Sequence, residues 1–307
     1  MAIGMISDND ASKKESLLSI LKDVSPNTDN YLVTNLGTAP AATQPLSEWV
    51  VYNTARPTSI TFVAEGSDIA AADLTAPTRS NNRTAIIDEV VQVSDTEQNV
   101  ATATGTNPWA FQKAEALKRL KAKMEYAILN GAYASGASGV ARGLAGIDGC
   151  VSTNVTARAC GTSFTENELN DIMQNSWDQV GSQYVANILV CPMVIKRRIA
   201  TFTSNLTRNI DASEKKLVNE IQVYDSSVGQ SVMIIPHKDV RNVAGSLTVY
   251  ALREDTFKMQ FLQNSEPRWK DLGTSGHYDR GVYTTEMTLN SYAERASVKR
   301  TGYSTVL

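Results

Sequence analysis

Two histidines, three cysteines, two adjacent carboxylate pairs, a glycine-rich run and one basic helix face are the features of this chain that could carry chemistry. His237 follows Pro236 at the end of an apolar run and His277 lies in a polar loop, so neither has metal-ligand spacing and both are expected to face solvent. Cys150, Cys160 and Cys191 are an odd set at spacings with no metal logic, which predicts small buried thiols rather than disulfides. Asp88–Glu89 and Glu254–Asp255 are paired carboxylates, but adjacent strand residues point to opposite faces, so neither pair is poised to share a proton. Gly136-Ala137-Ser138-Gly139 has the wrong spacing for a nucleophile elbow and follows a helix instead of a strand. The glycine run at 136–149 lacks the Walker lysine, so it does not read as a phosphate cradle. No convergent polar site emerges; no catalytic residue, metal or cofactor is expected. Triplets N-x-T at Asn82, Asn154 and Asn205 are expected to be inert.

What remains is a distribution of charge. The chain has 307 residues and a net charge of −3, with 42% hydrophobic and 20% charged residues, an ordinary globular composition. That small net charge gives no whole-molecule attraction to DNA or acidic membranes. The charge is unevenly placed. Residues 1–22 are neutral; residues 23–112 carry ten acids, three arginines and no lysine, giving −7; the remainder is +4. The basic excess is densest on one helix, where Lys113, Lys118, Arg119, Lys121 and Lys123 face only Glu115 and Glu125. Aromatic residues do not interleave with these charges, so base stacking is not suggested. Three readings stay open for this face: a partner protein such as the acidic hairpin of a neighbouring copy, plain solvent, or a phosphate backbone.

The elements that must position these groups are legible in part. Ser12-Lys13-Lys14-Glu15 is a capping box, and Leu17, Leu21 and Val24 then recur at helical spacing until Pro26, predicting a helix over about 13–24. Residues 25–45 lack a period and read as an extended arm. Strands are predicted at 48–53, 59–64 and 84–94, with a polar tip between the last two, making a projecting hairpin. Pro108 opens a helix that Gly131 ends, with Ala110, Ala114, Leu117, Met124 and Ile128 as its apolar stripe. It would be roughly 35 Å long. Thr165–Glu168 caps a further helix; NILVC reads as a buried strand, Pro192 opens another helix, and strands follow at 218–224 and 231–235. This alternation predicts a compact α/β block. The tail is β-rich, with strands at 247–252, 257–262, 281–290 and 294–301. No apolar run approaches the roughly 18 residues that span a bilayer. The opening MAIGMISDNDASKKE lacks the form of a secretory signal, so the protein is expected to stay in the cytosol or leave by lysis.

In order along the chain, Ser25-Pro26, the arm to Pro45, Glu48-Trp49, Glu65-Gly66, Pro77-Thr78-Arg79, Asn81-Asn82 and Val93-Ser94-Asp95-Thr96 lead into the helix KAEALKRLKAKMEYAILNG. Together with the closing run WKDLGTSGHYDRGVYTTEMTLNSYAERASVKRTGY, this order resembles the tailed-phage major capsid proteins of the Hong Kong 97 fold. The match spans nearly the whole chain and is weakest over 150–246. The resemblance implies an α+β capsid fold: an N-terminal arm (1–45), an extended β-hairpin loop (46–100), a peripheral domain with the spine helix (101–163), an inserted axial α/β domain (164–246), and a return to peripheral strands (247–307). It implies hexamers and pentamers on an icosahedral lattice around double-stranded DNA, held by weak non-specific contact, with separate scaffolding, portal and decoration proteins as further partners and no membrane. Only about 25 residues precede the family-like Ser25-Pro26, so a cleavable scaffolding segment is not expected. The virion is the implied location, with assembly in the host bacterial cytoplasm. Trp49, Arg56, Glu65, Asp68, Arg79, Arg83, Asp88, Glu89, Lys118, Arg119 and Lys123 are then the expected inter-subunit contacts. An encapsulin-like nanocompartment shell is the nearest alternative, and a cytosolic α/β enzyme a distant one.

Some relatives of this fold cross-link their shells through a lysine of the extended loop. With no lysine between Asp23 and Gln112, this chain cannot form that isopeptide from its loop. Intact particles run on a denaturing gel should give monomer alone; ladders above monomer would refute the expectation.

Overall fold

Helix α3, Pro108–Asn130, is laid down by its first and last residues. Pro108 has no N–H to leave unsatisfied in the first turn, and Asn107 Oδ1 accepts from the backbone N–H groups of Trp109 (2.9 Å) and Ala110 (3.3 Å). Only glycine fits at the C-cap, Gly131, because a Cβ there would lie 2.5 Å from the Ala127 carbonyl and 2.7 Å from that of Leu144. The computed structural model describes residues 30–53, 56–60, 62–68, 76–100, 107–202, 223–226, 229–240, 242–243, 245–274 and 276–306. The helix expected at 13–24 and most of the strand expected at 218–224 lie outside them.

The buried line on α3 is Ala116, Leu120, Met124, Ile128 and Leu129. Ala110 and Ala114, expected in the stripe, are exposed. Alanine has little surface to bury, so it marks the phase of a helix poorly. Glu125, counted on the charged face, is fully buried.

One sheet has five strands: β1 (Gly37–Thr38), β4 (Ala85–Ser94), β11 (Phe257–Phe261), β12 (Arg268–Thr274) and β13 (Tyr278–Ser291), the long central strand. Register places Glu89, Tyr283 and Trp269 side by side across β4, β13 and β12. Same-row neighbours share a face, and this one meets α3: Trp269 lies edge-on to Trp109 (5.8 Å) and to Tyr283 (4.7 Å).

The other large sheet has seven strands, in order β5 (Val155–Thr162), β14 (Val298–Ser304), β10 (Ser246–Leu252), β6 (Ile188–Cys191), β8 (Ser231–Pro236) and β7 (Val223–Asp225), with β9 (Asn242–Val243) beside β10. Strand β6 is buried at every position. Ile188 and Val190 join the core beneath α3, whereas Leu189 and Cys191 join the core beneath α5 (Glu166–Val180) and α6 (Met193–Ile199). Strand β10 alternates likewise: Tyr250 and Leu252 to one side, Val249 and Ala251 to the other. The sheet is thus a wall between two cores, and period-2 alternation of wholly apolar strands produces it. Because β10 and β14 pair with strands of the 155–236 block, the sheet crosses the boundary expected at 246/247.

Three further expectations change. The arm is packed, not merely extended. It forms α1 (Tyr31–Asn35), buries Leu32, Leu36, Ala39 and Ala42, and runs parallel to β11 with Ala39 N donating to Met259 O (2.7 Å) and Ala42 N to Phe261 O (2.8 Å). The strand β2 (Leu46–Val51) pairs with β3 (Thr78–Arg83), while the described residues of 59–64 are not strand. The returning run is β4, which belongs to the body sheet because Ile87, Val91 and Val93 turn toward buried neighbours. Strands β5 and β12 were not legible, since neither alternates cleanly.

Gly281 tests the packing of the aromatic row. A Cβ there would sit 2.0 Å from Trp269 Cζ2. Gly281→Val should cost about 1–3 kcal/mol through overpacking. A denaturant midpoint unchanged from the parent chain would show the row to be loose.

Candidate functional site

The hairpin β2–β3 forms a two-stranded sheet of its own, and two strands are only marginally stable in water. Its base is nevertheless firmly seated. Asn82 is fully buried and uses both ends of its amide: Nδ2 donates to Leu289 O (2.7 Å) and Ala145 O (2.9 Å), and Oδ1 accepts from Ala145 N and Arg83 N (2.8 Å each). Ser47 Oγ donates to Gln260 Oε1 (2.6 Å), and Thr84 Oγ1 to Glu286 Oε1 (2.6 Å), which also meets Arg142 at 2.7 Å. Trp49 is edge-on to Tyr292 at 6.1 Å. With its amide oriented to accept, Asn53 Oδ1 lies 2.6 Å from Arg295 Nη1. Burial of Asn82 also removes it as a glycan acceptor.

Beyond this base the character reverses. Val50, Tyr52, Ile60, Phe62 and Val63 are all exposed, Phe62 to 87%.

The eleven residues expected at contacts fall into two groups that the fold keeps distinct. Trp49, Arg56, Glu65, Asp68, Arg79 and Arg83 lie on or beside the hairpin; Arg56, Glu65 and Asp68 are exposed. Arg79 reaches Glu48 at 3.8 Å and Arg83 Nε reaches the Tyr133 hydroxyl at 3.4 Å. Asp88, Glu89, Lys118, Arg119 and Lys123 cluster on β4 and α3. Glu89 pairs with Arg119 (2.6 Å) and Lys123 (2.5 Å) of its own chain, Lys123 Nζ also donates to Asp88 O (2.7 Å), and Lys118 pairs with Glu115 (2.8 Å). Burial pushes the Glu89 carboxyl up, but hydrogen bonds and charge from Lys123 and Arg119 outweigh it and hold the group below its ordinary value. Much of the basic helix face is therefore matched internally, which the charge count could not show.

His237 is the clearest correction. It is 4% exposed, not a solvent-facing loop residue. Its Nδ1 accepts from Asp239 N (3.1 Å), so Nε2 carries the proton and donates to Glu125 Oε1 at 2.7 Å. The same carboxylate accepts from the backbone N–H groups of Leu32 and Val33, both at 2.7 Å. Glu125 thus ties the arm, the spine helix and the end of β8 together. The pairing was not legible because 112 residues separate the partners. A second, partly buried hub is Glu168, which meets Arg158 (2.8 Å), Arg300 (2.7 Å) and the Tyr303 hydroxyl (2.9 Å). His277 is exposed as expected. Cys150 and Cys191 are pushed up to about 12 by burial, so both stay thiols; Cys160 is exposed, against the expectation of a buried thiol.

A long spine helix packed on a five-stranded sheet, an N-terminal arm along its edge and a seated hairpin with an apolar outer part together define the shell-subunit fold of the Hong Kong 97 type. Solved structures agree on the fold. The chain is similar to the capsid of cyanophage A-1(L) (TM-score 0.67, 14% identity, 98% of each chain covered). It is also similar to the capsid of Myoviridae phage XM1 (TM-score 0.61, 14% identity, 98% of this chain and 100% of that one). The SrpI encapsulin of Synechococcus elongatus PCC 7942 shares the fold at a TM-score of 0.57 and 12% identity, over 99% of this chain and 97% of that one. The particular family follows from sequence: the chain belongs to the SU10 major capsid protein family, whose model matches residues 5–304. No curated protein matches the chain. Its role is structural, as a protein of a virion shell. No described helix is long and apolar enough to cross a membrane.

Glu125→Ala should cost about 1–3 kcal/mol for each buried donor it leaves without an acceptor, Leu32 N–H and His237 Nε2–H, and less for the part-buried Val33 N–H. Chemical denaturation should show the loss, with amide exchange at Leu32 and Val33 accelerating more than at Leu189.

Proposed function

We propose that copies of this chain assemble into hexamers and pentamers of a closed icosahedral shell, each hairpin lying on an adjacent copy and the shell enclosing double-stranded DNA. The observation that carries this reading is the set of exposed apolar side chains Ile60, Phe62 and Val63 beyond a hairpin base that Asn82 anchors by hydrogen bonds. Covering those three side chains would contribute roughly 1.5–3 kcal/mol each. The contact repeats at every subunit, so modest pairwise affinity suffices for a closed lattice. The exposed hairpin residues Arg56, Glu65, Asp68 and Arg79 would then set register and exclude wrong partners more than they add affinity. Asp88 and Lys118 would sit at the margin of the same contact, and Glu89, Arg119 and Lys123 would stiffen the surface that receives it.

In this reading residues 46–100 form the extended loop, 101–163 with 247–307 the peripheral part, and 164–246 the axial part, except that β4 lies in the five-stranded sheet and β10 and β14 extend the sheet of the axial part. Assembly takes place in the host bacterial cytoplasm, with scaffolding, portal and decoration proteins as separate chains. No reaction is assigned to the protein. The similarity to the SrpI encapsulin supports one second reading, a nanocompartment shell that encloses protein instead of nucleic acid.

Phe62→Glu should leave the subunit folded and abolish closed particles. Circular dichroism and negative-stain microscopy of the parent and variant chains check both halves. Uniform shells from the variant would refute the hairpin contact. Nuclease-resistant nucleic acid inside particles from infected cells would separate the capsid reading from the nanocompartment reading.

A further inference from the structure

Helix α3 covers one face of the five-stranded sheet, where Val91, Val93, Tyr283 and Trp269 pack with Ala116 and Trp109. Successive strand residues alternate between faces, so the residues between these point the other way. Register aligns them in rows across β4, β13 and β12: Val90, Val282 and Lys270 in one, Asp88, Thr284 and Arg268 in the next. Val282 is nearly buried between its neighbours, whereas Ile86 is 63% and Val90 47% exposed. Arg268 and Lys270 are exposed as well.

The same face of β13 continues through Glu286, Thr288 and Asn290, and there the subunit covers it with its own hairpin base. Thr84 Oγ1 donates to Glu286, and Ser47 Oγ lies 3.3 Å from Asn290 Oδ1. Thr288 and Asn290 are buried beneath that cover. Toward Val90 the face opens. Behind it, Arg119 and Lys123 hold Glu89 and so brace β4 from the α3 side.

Charge decides what suits the open end. Arg268, Lys270 and Arg280 stand there against Asp88, a balance of +2, and Glu286 is already matched by Arg142. The outer part of the hairpin, residues 56–77, carries Glu65, Asp68 and Asp73 against Arg56, a balance of −2. Its exposed Ile60, Phe62 and Val63 are the apolar counterpart of Ile86 and Val90. Opposite potentials on the two surfaces favour this pairing and its register.

Resting on the hairpin contact proposed above, we propose that its receiving surface is this face of the five-stranded sheet in an adjacent copy. Phe62 lies on Ile86, Val90 and Val282, and Glu65 faces Arg268 and Lys270. Each sheet then carries two hairpins, its own base at the Asn290 end and a neighbour's outer part at the Val282 end. Hairpin on one copy and sheet on the next make a heterologous contact, the kind that generates rings.

The test places a photoreactive benzophenone side chain at position 62 of the full-length chain, in place of the phenyl ring. Assembled particles are irradiated, separated on a denaturing gel and read by peptide mass spectrometry. Links at dimer mobility from position 62 to residues 86–90, 268–270 or 280–284 support the proposal. Dimer links to another surface overturn this face and leave the hairpin contact standing; links at monomer mobility alone overturn both. Should the labelled chain fail to assemble, charge reversal gives a second readout. Arg268→Glu with Lys270→Glu should cut the yield of closed particles about tenfold or more, because like charges then meet across the contact. Glu65→Lys with Asp68→Lys in the same chain should restore it, with circular dichroism unchanged throughout. Parental yield from the first pair, or no recovery from the second, overturns the proposal. Loss of particles in Phe62→Glu alongside parental yield from the first pair would confine the failure to this face.

Discussion

A buried carboxylate is the constraint around which this chain is arranged. Glu125 has no access to water, so its charge must be met by donors inside the protein, and two elements remote in sequence, the arm and the end of β8, supply them. An uncompensated charge there would cost several kcal/mol. The arm therefore cannot drift from the spine helix, nor the end of β8 from either, without exposing that cost. A purely apolar contact would tolerate sliding by a residue or a turn. Two consecutive N–H groups aimed at the two oxygens of one carboxylate do not, and register of the arm along the β11 edge follows from them.

The two-sided wall made by β6 and β10 shows what a sequence can and cannot disclose. NILVC is legible as a buried strand because nothing polar interrupts it. That it faces two cores is not legible, since a wholly apolar strand looks the same whichever partners cover it. The limits of α3 were legible because Pro108 and Gly131 act locally, through a missing N–H and a missing Cβ. The inward position of Glu125 was not, because its cause is His237 and the arm. Local causes leave local marks; the arm was misread as loose because its burial comes from a strand more than 200 residues further on.

Charge counting met the same limit in another form. The acidic and basic halves of the chain are real, and at Glu89, Arg119 and Lys123 they meet inside one subunit. Composition reports that opposite charges are available. Only geometry decides whether they meet within a chain or between chains. The candidate site was thus legible as a region, through the order of motifs from Glu48 to Thr96, and much less so as a set of pairs.

The hairpin combines two demands that conflict in an isolated domain. An exposed Phe62 beside Ile60 and Val63 invites association with anything apolar. A loose hairpin bearing them would pair indiscriminately, and its ordering on a neighbour would cost conformational entropy for every residue fixed. Seating the base through Asn82, Ser47, Thr84 and Trp49 limits the directions in which the outer part can point. Part of the ordering cost is then met during folding of the single subunit. In the proposed contact the polar hairpin residues would add selectivity without much affinity, because exposed ion pairs contribute only about 0–1 kcal/mol each. A shell closes when each contact is weak enough to be corrected and directed enough to repeat, and a stiff base carrying a few apolar side chains meets both conditions.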